Sequence, residues 1–193
     1  MKKVYIGTNW KMHKTIEQGR QYCQGLKEIT QGLDERIQLF IIPSYTSLSS
    51  LRNEVESPIL LGAQNMHWEE EGAYTGEISP LMLKEIGVDL VELGHSERRE
   101  YYNENNQDLN KKVQAALENG MMPLLCIGEN LADKELGTSE ESLSIQLKIC
   151  LKDISPEQMK DVLVAYEPVW AIGTGMTPTA QQIGEVHGFI RAR

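Results

Sequence analysis

A chain of 193 residues that is 40% hydrophobic and 24% charged has enough apolar material for one globular domain with a sizeable core. Its net charge of -9 argues against a broad nucleic-acid footprint or attraction to an anionic membrane, so an anionic ligand would have to be held by a few placed groups. Three distant cysteines, Cys23, Cys126 and Cys150, without a Cys-x-x-Cys pair, argue against a disulfide framework or zinc ribbon and fit a reducing cytoplasm. Met1-Lys2-Lys3 is followed by too few apolar residues before Asn9 for a secretory signal, and no apolar run is long enough to span a bilayer.

In chain order, residues 4–8 read as a first strand, with Asn9-Trp10-Lys11 at its C-terminal end. Residues 15–28 have a helical pattern with Thr15 as N-cap. A second strand over 38–42 is closed by Pro43, and a short helix is expected over 45–55. The third strand, 59–63, leads into a long polar loop over 64–79, and loops of that length are usually functional or make contacts. Pro80 suits the first turn of a helix over 81–85. The fourth strand, 88–93, ends at Gly94-His95-Ser96-Glu97-Arg98-Arg99. Leu109, Val113, Ala116 and Leu117 mark a helix stopped at Asn119-Gly120, followed by a fifth strand over 122–127 that ends at Gly128-Glu129. A charged, solvated stretch then precedes a packed helix over 143–151. The sixth strand, 162–166, reads as a parallel strand covered on both faces, and Thr177-Pro178 opens a last helix.

Six strand-helix units in order predict a parallel α/β sheet. No Gly-x-Gly-x-x-Gly follows any strand, which removes the support for a dinucleotide-binding open sheet. Polar or ionisable residues follow strands one, three, four, five and six, the rim on which a (β/α)8 barrel builds its site, and units of about 32 residues extrapolate to about 250 for eight. The expected fold is therefore a single TIM (β/α)8-type domain over residues 1–193, represented by its first six βα units.

Glu167 stands at the end of the sixth strand, where Pro168 stops the ladder because it has no N–H to donate. Beyond it Val169, Trp170, Ala171 and Ile172 offer apolar groups to bury on closing, and Gly173, Thr174 and Gly175 end the segment with backbone freedom, a composition that suits a lid. Glu167 is the candidate base, against the ordinary alternative of a solvated loop carboxylate. Lys11 is a cation able to neutralise a phosphate or oxyanion, and His95 can polarise a carbonyl if a helix starting after Gly94 keeps its imidazole neutral. The alternatives are a surface lysine and a structural histidine. Glu97 or Glu129 reads as an ion-pair partner of Arg98, Arg99 or Lys11, and Cys126 as a small core residue. The other histidines offer no paired metal-ligand spacing, and neither a Gly-x-Ser-x-Gly elbow nor a His-Glu-x-x-His pair occurs. A carboxylate, a histidine, a lysine and an amide are the parts needed to move a proton beside a carbonyl.

Four segments, Asn9-Trp10-Lys11-Met12, Gly72-Ala73-Tyr74-Thr75-Gly76-Glu77-Ile78-Ser79, Gly94-His95-Ser96-Glu97-Arg98-Arg99 and Tyr166-Glu167-Pro168-Val169-Trp170-Ala171-Ile172-Gly173-Thr174-Gly175, closely resemble the signature segments of the triosephosphate isomerase family, in family order. The resemblance implies interconversion of dihydroxyacetone phosphate and glyceraldehyde 3-phosphate through an enediol, in glycolysis and gluconeogenesis, with no cofactor or metal. Glu167 would be the base and neutral His95 the electrophile, a pairing of roles for which this family is itself a standing example. Lys11 and Asn9 would stabilise negative charge, with Glu97 a fourth partner near the lysine; Lys11 and the Gly173 amide would meet the phosphate, and 168–175 would close over it. The 64–79 loop, with Thr75 near its tip, would insert into a second subunit and make a homodimer.

His13 after Met12, Gly7-Thr8-Asn9-Trp10-Lys11 and Val91-Glu92-Leu93-Gly94 look more like a sister branch acting on four-carbon ketose phosphates such as erythrulose phosphate, whereas Gly173-Thr174-Gly175 looks like the triose branch. Glu92, inside a strand, needs a partner. The resemblance also implies two further units of about 60 residues, whose loops hold most of the phosphate. On that ground little activity is expected of a 193-residue chain, with an inactive or self-associating barrel fragment as the alternative of another class.

Overall fold

In a computed structural model of the chain, residues 3–55 and 58–193 are described; Met1 and Lys2, at the head of the charged start, lie outside the described residues. The strands are β1 (Val4–Asn9), β2 (Ile37–Ile42), β3 (Ile59–Ala63), β4 (Leu90–Leu93), β5 (Met122–Ile127) and β6 (Leu163–Tyr166). The helices are α1 (Ile16–Ile29), α2 (Tyr45–Leu51), α3 (Pro80–Ile86), α4 (Ser96–Tyr102), α5 (Asn106–Glu118), α6 (Leu131–Leu136), α7 (Ser139–Cys150) and α8 (Ala180–Ala192). The sheet keeps the strands in chain order, and β1/β2, β2/β3, β3/β4 and β5/β6 pair in parallel. That order belongs to a (β/α)8 barrel; a doubly wound sheet reverses at a switch point. The fold class is the expected one, with six βα units of the barrel type.

Local hydrogen bonding explains where several helices start. Thr15 accepts from the Gln18 N–H while the Gln18 side chain caps the Thr15 N–H, so α1 begins where the sequence predicts. Pro80 occupies the first turn of α3, behind the Ser79 cap. The last helix differs: Thr179, and not Thr177-Pro178, opens α8, because its hydroxyl accepts from Gln182 in a reciprocal capping box and leaves Pro178 outside. The charged stretch after Glu129 is also more ordered than expected. Asn130 and Asp133 cap one another to start α6, and Gly137 at φ 73 ends it. Strand β4 starts two residues late because Asp89 Oδ2 accepts from the Leu61 N–H at 2.8 Å and from Arg52 Nη1 at 3.1 Å.

Two compact units are distinguished, one of Met1–Glu92 with Ala115–Pro123, the other of Leu93–Gln114 with Leu124–Arg193. In the first, Ile41, Ile42, Leu61 and Leu90 from the strands and Leu48, Leu51 and Leu83 from the helices are fully buried. In the second, Leu93, Leu109, Leu125, Ile127 and Leu143 are fully buried. Cys126 is a buried core residue, as its mid-strand place predicts. Strand β6 corrects its reading as a strand covered on both faces: all four residues are half-buried. An apolar run records what a strand can bury, not what covers it. Among the described residues no helix is long and apolar enough to cross a membrane.

A buried ion pair ties α4 to α5. Glu104 accepts from Lys112 Nζ and, at 3.4 Å, from Arg98 Nε, and the Glu104 and Lys112 side chains are almost wholly buried. Its Oε2 has no hydrogen-bond partner among the described residues. Replacing Lys112 by methionine should therefore cost about 3 kcal/mol, since it leaves the buried carboxylate only the longer Arg98 contact; urea unfolding measures this, and a loss below about 1 kcal/mol would contradict it.

Candidate active site

Strands one and four set the first group of site residues, all within the first unit. Asn9 is the last residue of β1, where register places it against Ile42 at the end of β2. Its Oδ1 accepts from the Lys11 backbone N–H at 2.6 Å, and its Nδ2 donates to Glu92 of β4. The partner that the buried Glu92 requires is thus the Asn9 amide. Lys11 lies in the left-handed region at φ 52, and its carbonyl accepts from Gln64 Nε2 at 2.8 Å. The sequence placed Asn9 and Lys11 on the strand's rim but gave no sign that Gln64 and Glu92 would converge on them. Thr75 is exposed on the 64–79 loop, which the His67–Tyr74 ring contact at 4.3 Å and the His67 N–H to Ile78 carbonyl bond at 2.9 Å hold in shape.

The second group lies in the second unit. Helix α4 starts right after Gly94, and His95 is its N-cap. His95 Nδ1 accepts from the Glu97 backbone N–H at 3.2 Å, so the ring is neutral at Nδ1 and carries its proton on Nε2. Nε2 faces Glu167 Oε1 at 3.2 Å, and Glu167 Oε2 accepts from the Ser96 backbone N–H at 2.9 Å. The helix start therefore does two things: it fixes the imidazole tautomer and supplies a backbone donor to the carboxylate. The Glu97 carboxylate reaches within 3.7 Å of His95 Nδ1. Glu167 itself continues the β5/β6 ladder by one bond, its N–H donating to the Ile127 carbonyl at 2.8 Å, and Pro168 then ends it.

The arginine pairings differ from those expected. Arg98 bonds Glu104, and Arg99 bonds the neutral oxygens of Gly94, Cys126 and Asn106. Glu129 is buried and accepts from Tyr166 Oη at 2.8 Å and from Trp170 Nε1 at 2.6 Å. Burial, then the bond to Glu129, pushes the Tyr166 phenol well above its ordinary range, so it remains a donor at any working pH. The sequence contained Glu129 and Trp170 but not their pairing, which joins residues 41 apart in the chain. Trp170 is buried within a short 3-10 turn, Val169–Ala171, while Ile172 is exposed. Gly173 and Gly175 have φ values of 70 and 77, and Thr174 Oγ1 donates to the Trp170 carbonyl at 2.9 Å. A groove beside this segment is lined by Ser96, Gly128, Asn130, Trp170, Ile172 and Thr174.

A carboxylate facing the N–H of a neutral imidazole can take a proton from carbon while the ring donates to a neighbouring oxygen. The comparison with known proteins agrees with that chemistry. The family model described as Triosephosphate isomerase matches residues 4–193. The triosephosphate isomerase of Clostridium botulinum (strain Loch Maree / Type A3) is 46% identical over 192 residues, covering 99% of this chain and 77% of the relative. That of Thermoanaerobacter pseudethanolicus is 46% identical over 187 residues, 96% of this chain and 75% of the relative. That of Dictyoglomus turgidum is 43% identical over 192 residues, with 99% and 77% covered. With the family match running unbroken from the first strand through the last helix, the chain belongs to the triosephosphate isomerase family.

Proposed function

We propose that the chain interconverts dihydroxyacetone phosphate and glyceraldehyde 3-phosphate by proton transfer through an enediol. The observation that carries this reading is the facing of Glu167 Oε1 and His95 Nε2 at 3.2 Å, with the ring held neutral by the Glu97 N–H. Glu167 removes a proton from the carbon beside the carbonyl while His95 donates to the carbonyl oxygen. Glu167 then returns the proton to the former carbonyl carbon while His95 recovers its own from the other hydroxyl, which becomes the new carbonyl, so atoms balance without an oxidant or reductant. Lys11 and Asn9 offset the negative charge of the intermediate, and Glu97 is the fourth partner of this set. The Gly173 amide and Lys11 hold the phosphate. Closure of residues 168–175 keeps water from the enediol, a lid role for which this family is a standing example.

Several finer readings belong to the same proposal. Residues 1–193 form one barrel domain, a view supported by the unbroken family match. A homodimer built through the 64–79 loop is supported by the exposure of Thr75 on a loop held in shape by its own rings. A cytoplasmic setting is supported by three buried cysteines that form no disulfide among the described residues.

The test is a steady-state assay with glyceraldehyde 3-phosphate and, in parallel, erythrulose phosphate, on a sample of verified intact mass. Turnover of the triose, at the low level expected of six units, with the tetrulose inert is the expected result. Turnover of the tetrulose alone would move the assignment to the sister branch, and none on either sugar would overturn it.

A further inference from the structure

Glu92 and Gln64 have no part in the reaction as proposed, yet both end on the segment that carries Asn9 and Lys11. Glu92 is a buried carboxylate on β4, a strand separated from β1 by β2 and β3 in the sheet. Such a group costs stability unless its surroundings use it.

The geometry shows the use. A carboxylate is an acceptor only, so it selects the NH2 end of the Asn9 amide. That choice turns Oδ1 toward the Lys11 N–H, which donates to it at 2.6 Å. Lys11 stands at φ 52, a region that residues with a side chain avoid unless their neighbours hold them there. Gln64 Nε2 grips the other side of the residue, donating to the Lys11 carbonyl at 2.8 Å and to the Ile42 carbonyl at 3.3 Å. The strained turn is therefore pinned at both of its peptide groups, and one of the two pins depends on which way the Asn9 amide faces. Glu92 decides that orientation. Because an NH2 group has two hydrogens, the second remains for a substrate oxygen.

We propose that Glu92 is a positioning residue: by fixing the orientation of the Asn9 amide it holds Lys11 in its left-handed turn and so sets where the ammonium is presented. Its effect on turnover rests on the isomerase reading above, whereas its effect on the Lys11 backbone does not.

The test uses Glu92→Leu and Glu92→Gln. Leucine fills the space without an acceptor, and glutamine keeps one. Expected for Glu92→Leu is a chain that still folds, with kcat/KM lower by about tenfold. A residue needed only for stability would lower the melting temperature and leave kcat/KM unchanged. Glu92→Gln should keep most of the activity. In an Asn9→Ala background Glu92→Leu should change kcat/KM by less than about twofold, since the route through Asn9 is already gone. Independently of turnover, amide hydrogen exchange at Lys11 should be about fivefold or more faster in Glu92→Leu than in the parent. Equal losses in both Asn9 backgrounds, unchanged exchange at Lys11, or loss of the fold in both Glu92 variants would overturn the positioning role. A parent chain without turnover on either sugar would remove the isomerase reading alone, and Lys11 exchange would still decide this one.

Discussion

Replacing Glu167 by glutamine should lower kcat by about 10³-fold while moving KM and the urea midpoint little, because a general base contributes roughly 10²–10⁴ and glutamine keeps the shape. Glutamine can still accept from the Ser96 N–H, the 2.9 Å bond that orients this side chain, so the segment after β6 should stay in place. What disappears is the oxygen able to hold the transferred proton. Glu167→Asp separates position from chemistry: the carboxylate stays but retracts by one methylene from the 3.2 Å approach to His95 Nε2. A misplacement of about 1 Å costs about 10²-fold, so aspartate should fall between the parent and glutamine. Steady-state kinetics on the three chains measures both effects. A glutamine variant within about tenfold of the parent kcat would remove Glu167 as the base.

The second large effect is expected at a residue that carries no chemistry. A Cβ added at Gly128 would lie 1.8 Å from the Glu167 carbonyl oxygen and 2.9 Å from its carbonyl carbon. These are backbone atoms of Glu167 itself, so no side-chain rotation relieves the clash. Gly128 cannot retreat either, because Gln146 accepts from its N–H at 3.0 Å and donates to its carbonyl at 2.8 Å. The displacement must pass to Glu167. Gly128→Ala should therefore cost about 1–3 kcal/mol or more by overpacking, and lower kcat by about 10²-fold by moving the carboxylate. Urea unfolding and kinetics on the same sample check it; an alanine variant with both values unchanged would mean that the two backbones separate freely. Joint loss is the signature to look for, since Glu167→Gln should reduce kcat without the stability cost.

The sequence by itself determined the α/β class, the six strands, the cap of α1 and the proline start of α3. It also put Glu167 and His95 just after their strands and Asn9 and Lys11 at the end of theirs. These features are legible because their causes are local: an apolar run of five residues, a hydroxyl three residues before an N–H, a proline without a donor. Even there, Thr179 outranked Pro178 at α8, and the Asn130–Asp133 box started a helix in a stretch that reads as solvated charge. Tertiary structure alone decided which polar groups meet. Glu92 found Asn9 across 83 residues, Glu129 found Trp170 across 41, and Glu104, not Glu97 or Glu129, took Arg98. It also decided that β6 is half-buried, which its apolar composition does not. A long polar side chain has several possible partners within reach, and the one it takes depends on which strands pair and which rim positions converge. That information resides in the folded sheet, not in the neighbourhood of any one residue.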